Sequence, residues 1–136
     1  MRVLVDTNIV LDDLLEREPF VTDAEALFEA IESQQIEGYV TATTLTDIFY
    51  IVRKERGVAT AKQAVSIILA GMQVCTVDRS ILEIAISSNL LDFEDAVQLA
   101  CAIVENLDAI ITRDAQGFTG ATLSILSAGE VLQRIT

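Results

Sequence analysis

Five short runs rich in branched aliphatic residues are spaced along the 136-residue chain, with helix-patterned stretches between them. This alternation limits the fold more than any other feature. Residues 2–6, 38–41, 73–77, 109–112 and 122–126 read as strands. The first connecting helix is expected from Thr7 or Asn8 to about Arg17, ended by Pro19. The next should start on Thr22-Asp23-Ala24-Glu25, which has the spacing of a capping box. Further helices are expected over residues 44–56 with Gly57 as the stop, 60–70, 78–88, 92–106, and from Ser127 to about Ile135. Strands that alternate with helices build a parallel sheet covered on both faces, so the expected class is α/β. No repeat or linker divides the sequence, and residues 1–136 are expected to form a single domain.

Composition removes several chemistries. There is no histidine, which excludes a histidine base, a Ser-His-Asp triad and the usual zinc sites. Cys75 and Cys101 lie among apolar residues and are expected to be small buried hydrophobes rather than a disulfide. The net charge of −12 argues against broad nonspecific nucleic-acid binding. One local basic group stands out, Arg53-Lys54-Glu55-Arg56 with Lys62 nearby. By composition it reads first as a solvated helix end favoured by the helix dipole. No apolar run reaches membrane-span length, and Met1-Arg2 leads straight into a strand-like run, so a cytoplasmic protein is expected.

Four aspartates carry the chemical interest. Asp6 and Asp114 follow the first and fourth strand runs, Asp95 falls in the first turn of the helix opening near Asp92, and Asp47 lies among apolar residues. In open parallel sheets the functional crevice lies beyond the carboxyl ends of the strands. Asp6 and Asp114 would meet there if strands one and four are adjacent. Each aspartate also has a structural reading as a cap, a turn residue or a solvated acid. Two carboxylates about 5 Å apart repel by roughly 3 kcal/mol at an effective dielectric near 20. Protons or a cation must offset such repulsion, and an all-oxygen site suits Mg2+ or Mn2+.

The same residues carry a family resemblance. Val3-Leu4-Val5-Asp6-Thr7-Asn8-Ile9-Val10-Leu11-Asp12 resembles the opening strand and turn of PIN-domain ribonucleases. Thr43-Thr44-Leu45-Thr46-Asp47-Ile48, Asp92-Phe93-Glu94-Asp95-Ala96-Val97-Gln98, and Ile111-Thr112-Arg113-Asp114 with Phe118 resemble their later motifs, in order. The resemblance implies a three-layer α/β/α sandwich whose five-stranded parallel sheet has the first strand at its centre. It also implies metal-dependent cleavage of RNA, with Asp6, Asp95 and Asp114 holding Mg2+ or Mn2+. Asp47 stands where the family most often has glutamate, and it is shorter by one methylene. Asn8 and Thr112 match polar positions that orient the acids or bound waters. Arg53, Lys54 and Arg113 become candidates for phosphate contacts. Similarity in size to VapC-type toxins implies a homodimer and a small antitoxin partner.

Two other functional readings start from the same residues. With Asp47 in place of glutamate and an acidic surface, the chain could be a catalytically weak or inactive PIN-like module that binds RNA or protein. A phosphotransfer enzyme would also place an aspartate after its first strand. Receiver domains want a second acid beside Asp6 and a lysine after the fifth strand, and this chain has Val5 and the lysine-free stretch 123–127. Asp6-Thr7-Asn8 likewise lacks the second aspartate of a haloacid-dehalogenase-type phosphatase. Phe28, Phe49, Tyr50, Ile67 and Ile68 are expected in the core.

Overall fold

The computed structural model describes residues 1–136, whose elements follow the alternation closely. In chain order they are β1 (Arg2–Val5), α1 (Thr7–Leu14), α2 (Val21–Glu32), β2 (Glu37–Thr41), α3 (Ala42–Arg56) and α4 (Val58–Gly71). There follow β3 (Gln73–Cys75), α5 (Arg79–Ile86), α6 (Phe93–Val104), β4 (Ala109–Ile111), a 3-10 turn (Ala115–Phe118), β5 (Ser124–Leu126) and α7 (Ala128–Ile135). All five strands join one parallel sheet in the order β3-β2-β1-β4-β5. The first strand is central, as expected, and Val3, Leu4 and Val5 pair with Ala109, Ile110 and Ile111. Strand order reverses between β1 and β4, so the switch point lies where Asp6 and Thr112 emerge.

Period-two alternation sends successive strand residues to opposite faces. Val3, Val5, Val40, Ala109 and Ile111 pack with α1, α2, α3, α4 and α7 in the larger of two cores. Leu4, Tyr39 and Ile110 face the other way, against α5 and α6. A sheet buried on both faces explains why its strands read as continuous apolar runs. Cys75 and Cys101 lie buried and unbridged in the smaller core. No helix is long and apolar enough to cross a membrane.

Local signals set several boundaries. Asp78 and Ser127 cap α5 and α7, the latter with Glu130 in a reciprocal capping box. Gly57 takes φ 88° after α3, a left-handed conformation that favours glycine. Other expectations need correction. Helix α1 ends at Leu14 rather than near Arg17, because Glu16 turns left-handed at φ 52°. Thr22 does not cap α2, which begins a residue earlier at Val21, with Phe20 at the cap position and no side-chain cap bond. Burial of Val21 and Ala24 against the core outweighs that local signal. Tyr50 and Ile67 are exposed rather than core, whereas Ile68 is buried and Phe28 and Phe49 are partly so.

Candidate functional site

Asp6 occupies the position before α1, yet its side chain caps nothing there. Instead, Thr112 Oγ1 donates to Asp6 Oδ2 at 2.8 Å and Gln98 Nε2 donates to Oδ1 at 3.0 Å. The carboxylate is only 8% exposed, so these donors replace the water it lost. They also fix its rotation at the switch point. Gln98 comes from α6, and its own Oε1 is buried without a partner. Thr112 Oγ1 in turn accepts the Asp114 N–H at 3.0 Å. Asp114 then closes the 3-10 turn by accepting the Gly117 N–H at 3.3 Å. A strand end, a helix and a turn are thus joined through one carboxylate.

A cavity of about 460 Å3 opens beside Asp6, and Thr7, Asn8, Asp47, Glu94, Asp95 and Asp114 help to line it. The four aspartates do converge on one space. Asp95 and Asp114 both approach Gly117: a Cβ there would sit 2.7 Å from Asp95 Oδ2 and 3.2 Å from Asp114 Oδ2. Burial, then the charges of Asp92, Asp6 and Asp114, push Asp95 up to about 6. Glu94 is pushed up to about 7, first by the Asp47 carboxyl in hydrogen-bonding position, then by burial and by Asp47, Asp6 and Asp92 charge. Negative charge here is under strain that a cation would relieve.

The donor chemistry fits a hard divalent cation: oxygen only, with aspartates 6, 95 and 114 bordering one cavity. No three acidic or thiol side chains are gathered closely enough to hold one ion directly. Mg2+ does not require three direct acids, since it dehydrates reluctantly and binds through one or two carboxylates while keeping several waters. The Asp6 oxygens each retain accepting capacity beyond their single hydrogen bond.

The other expected site residues divide. Asn8 lines the cavity with an exposed side chain that makes no protein hydrogen bond. Thr112 holds Asp6 as described. Arg53 and Lys54 are exposed at the end of α3, free of ion pairs. Lys54 lies two turns beyond Asp47 on the same helical face, past Ile51, which also borders the cavity. Arg113, the third candidate phosphate contact, is engaged by the protein itself. Its guanidinium bonds buried Asp12 at 2.8 and 3.2 Å and stacks 3.9 Å over the Phe20 ring.

Glu94, Gln98, Thr7 and Gly117 were not anticipated. Gln98 left one signal, a polar residue in the apolar stretch Ala96–Ala102, one turn after Asp95. Thr7 shares a 2.9 Å hydrogen bond with Thr44 and donates to Glu94 at 3.4 Å, which ties α1, α3 and α6 together.

The sheet order, the two helical layers and the acid-lined cavity at the switch point define an α/β/α domain with an acidic site over its central strand. The PIN domain family profile matches residues 2–116, and the chain belongs to that family. No curated protein matches the sequence. Among solved structures, VapBC-1 from nontypeable Haemophilus influenzae is similar at a TM-score of 0.71 and 16% identity, over 95% of this chain and 99% of that one. A toxin–antitoxin complex from Klebsiella pneumoniae gives 0.69 and 22%, over 93% and 97%. VapC20 from Mycobacterium tuberculosis, a sarcin-ricin loop cleaving toxin, gives 0.66 and 16%, over 79% and 86%.

Proposed function

We propose that this PIN domain is a metal-dependent endoribonuclease and the toxin of a toxin–antitoxin pair. The observation that carries the reading is the setting of Asp6, a nearly buried carboxylate with a donor on each oxygen, bordering the cavity that Asp47, Asp95 and Asp114 also line. The similar structure from Klebsiella pneumoniae is a toxin–antitoxin complex, and the one from Mycobacterium tuberculosis is a sarcin-ricin loop cleaving toxin. They support an antitoxin partner and an RNA substrate; action in the cytoplasm is part of the proposal. A homodimer belongs to the same reading.

A phosphodiester is anionic, and a cavity lined by carboxylates repels it. Bound Mg2+ or Mn2+ would reverse the local sign and lower the pKa of a coordinated water. Asp6, Asp95 and Asp114 would hold that ion between them, in part through its retained waters. Thr112 and Gln98 keep Asp6 aimed, and the Asn8 amide is free to orient a water. Asp47 and Asp114 are the candidate acceptors for the proton of the attacking water. Lys54 and Arg53 would meet neighbouring phosphates along the exposed end of α3, while the acids remain at the scissile bond.

Purified protein is expected to cut mixed RNA with Mg2+ or Mn2+, and EDTA or Asp6→Asn to abolish the cut. Cleavage that survives in Asp6→Asn would defeat the proposal. The spacing of the acids favours one alternative, a weak or inactive module that binds RNA or protein. That module would bind without turnover at any Mg2+ or Mn2+ concentration.

A further inference from the structure

Arg113 meets the protein along one edge and one face of its guanidinium and leaves the rest open. Nε and Nη2 donate to Asp12 Oδ2 and Oδ1 at 2.8 and 3.2 Å, which fixes the plane of the group. Phe20 covers one face, with its ring centroid 3.9 Å away. The turn that carries Phe20 is itself held on Asp12. There the Arg17 N–H donates to Asp12 O at 3.0 Å, and the Phe20 N–H to Arg17 O at 2.9 Å. One buried residue therefore sets both layers of the stack. Nη1 makes no hydrogen bond within the protein, and a third of the side chain remains exposed. With one edge and one face taken, solvent is left the second face, the Nη1 corner and the stem. This stack adjoins the acid-lined cavity. Asp114 follows Arg113 directly, and Asn8 precedes Asp12 by one helical turn, about 5.4 Å along α1.

We propose, resting on the reading of this chain as a ribonuclease, that the Phe20–Arg113 stack is a platform for one unpaired RNA base. The base would lie on the open guanidinium face, beside the phosphate held at the acids. Planar arginine side chains stack the splayed bases of single-stranded RNA. A phosphate is the weaker match, because the Asp12 carboxylate already offsets the guanidinium charge. A lysine would serve a plain ion pair between β4 and α1, whereas a base requires a flat, backed surface. Stacking accepts every base, so the platform sets where the strand lies rather than its sequence.

The test is a binding cycle, read by fluorescence anisotropy, between the full chain and short single-stranded RNAs of mixed sequence. Ca2+ is supplied to neutralise the acids, and one base at a time is replaced by an abasic ribose. At one position, loss of the base is expected to weaken binding by about tenfold, within the usual range for a stacked base. Arg113→Lys keeps a cation for Asp12 but has no plane, and should lose about tenfold on the intact RNA. On the RNA abasic at that position it should lose less than about twofold further, as expected of partners in one contact. Phe20→Leu leaves the ion pair and removes the backing ring, and should lose about threefold on the intact RNA only. It carries the cycle alone if a thermal melt shows Arg113→Lys to be unfolded. The platform is overturned if Arg113→Lys binds intact RNA as wild type does, the mark of a plain charge contact. It is overturned equally if the variant's loss multiplies with base removal at every position. Wild type that binds no RNA would sink both the platform and the ribonuclease reading. Coupling without RNA cleavage in Mn2+ would remove the ribonuclease reading alone, and cleavage without coupling would remove the platform alone.

Discussion

Arg113 grips Asp12 through two guanidinium nitrogens across 101 residues of sequence, and the Asp12 side chain is wholly buried. The pair pins the segment leaving β4, which carries Thr112 and Asp114, onto α1 behind the cavity. Removing one partner of a buried pair strands the other without solvent. With Arg113 itself one-third exposed, Arg113→Met is expected to cost about 3 kcal/mol, the low end for such breaks. Asp12→Asn should cost less, because the arginine left behind can reach water. Urea unfolding of the two variants checks the order, and equal or reversed losses would refute it.

Gln98 should separate activity from stability. Its Nε2 holds Asp6, while its buried Oε1 has no partner. Gln98→Leu removes both atoms at similar volume, so the orphaned acceptor goes with the donor. The thermal midpoint should hold or rise, while RNA cleavage drops by about 10–100-fold, as for other groups that orient a metal-holding acid. An unchanged cleavage rate would show that Thr112 alone suffices to aim Asp6.

Much of this arrangement was legible because its signals are local. Asp6 and Thr112 follow short β-branched runs, and Ser127 with Glu130 spells out a cap three residues apart. The central position of β1 came from the resemblance. What stayed hidden depends on side chains meeting across the fold. Gln98 reaches Asp6 over 92 positions, and nothing near either residue announces the bond. Asp12 looks like one more acid beside Asp13 until Arg113 is folded onto it. Phe93, Ile103 and Val104 continue the helical spacing of α6 yet remain exposed, while the small residues Ala96, Ala100, Cys101 and Ala102 take the sheet-facing side. Apolar period alone therefore misread that helix.

Acid pH should stabilise the metal-free protein. Asp95 at about 6 and Glu94 at about 7 hold protons in the folded chain that the unfolded chain releases near pH 4. Their contribution is fully present below the unfolded values and is lost as pH rises through about 6 and 7. Asp13, raised chiefly by burial, acts in the same direction, and Glu130, lowered by the Ser127 cap, acts oppositely at lower pH. The melting midpoint without metal should accordingly fall between pH 5 and pH 8. Mg2+ should recover much of that loss at pH 8, and Glu94→Gln should flatten the profile. A midpoint that rises steadily from pH 5 to pH 8 would contradict the crowding of these acids.

Gly117 offers the sharpest steric test of the site. Ala fits the backbone there, since no left-handed φ is involved, but its Cβ would stand 2.7 Å from Asp95 Oδ2. The carboxylate must swing aside, and it has room to do so in the open cavity, so the fold should lose little stability. The cost should fall on chemistry, because a displacement of about 1 Å in a positioned group can slow a reaction by about 100-fold. Gly117→Ala is therefore expected to cut RNA cleavage by about tenfold to 100-fold and to weaken Mn2+ binding, with an unchanged melting midpoint. The Asp95 pKa gives an independent reading by carbon-detected NMR titration. Displacement away from Asp114 should lower it towards the ordinary aspartate range. A Gly117→Ala protein with native cleavage and an unshifted Asp95 would show that the close approach of this turn to the acids has no part in the site.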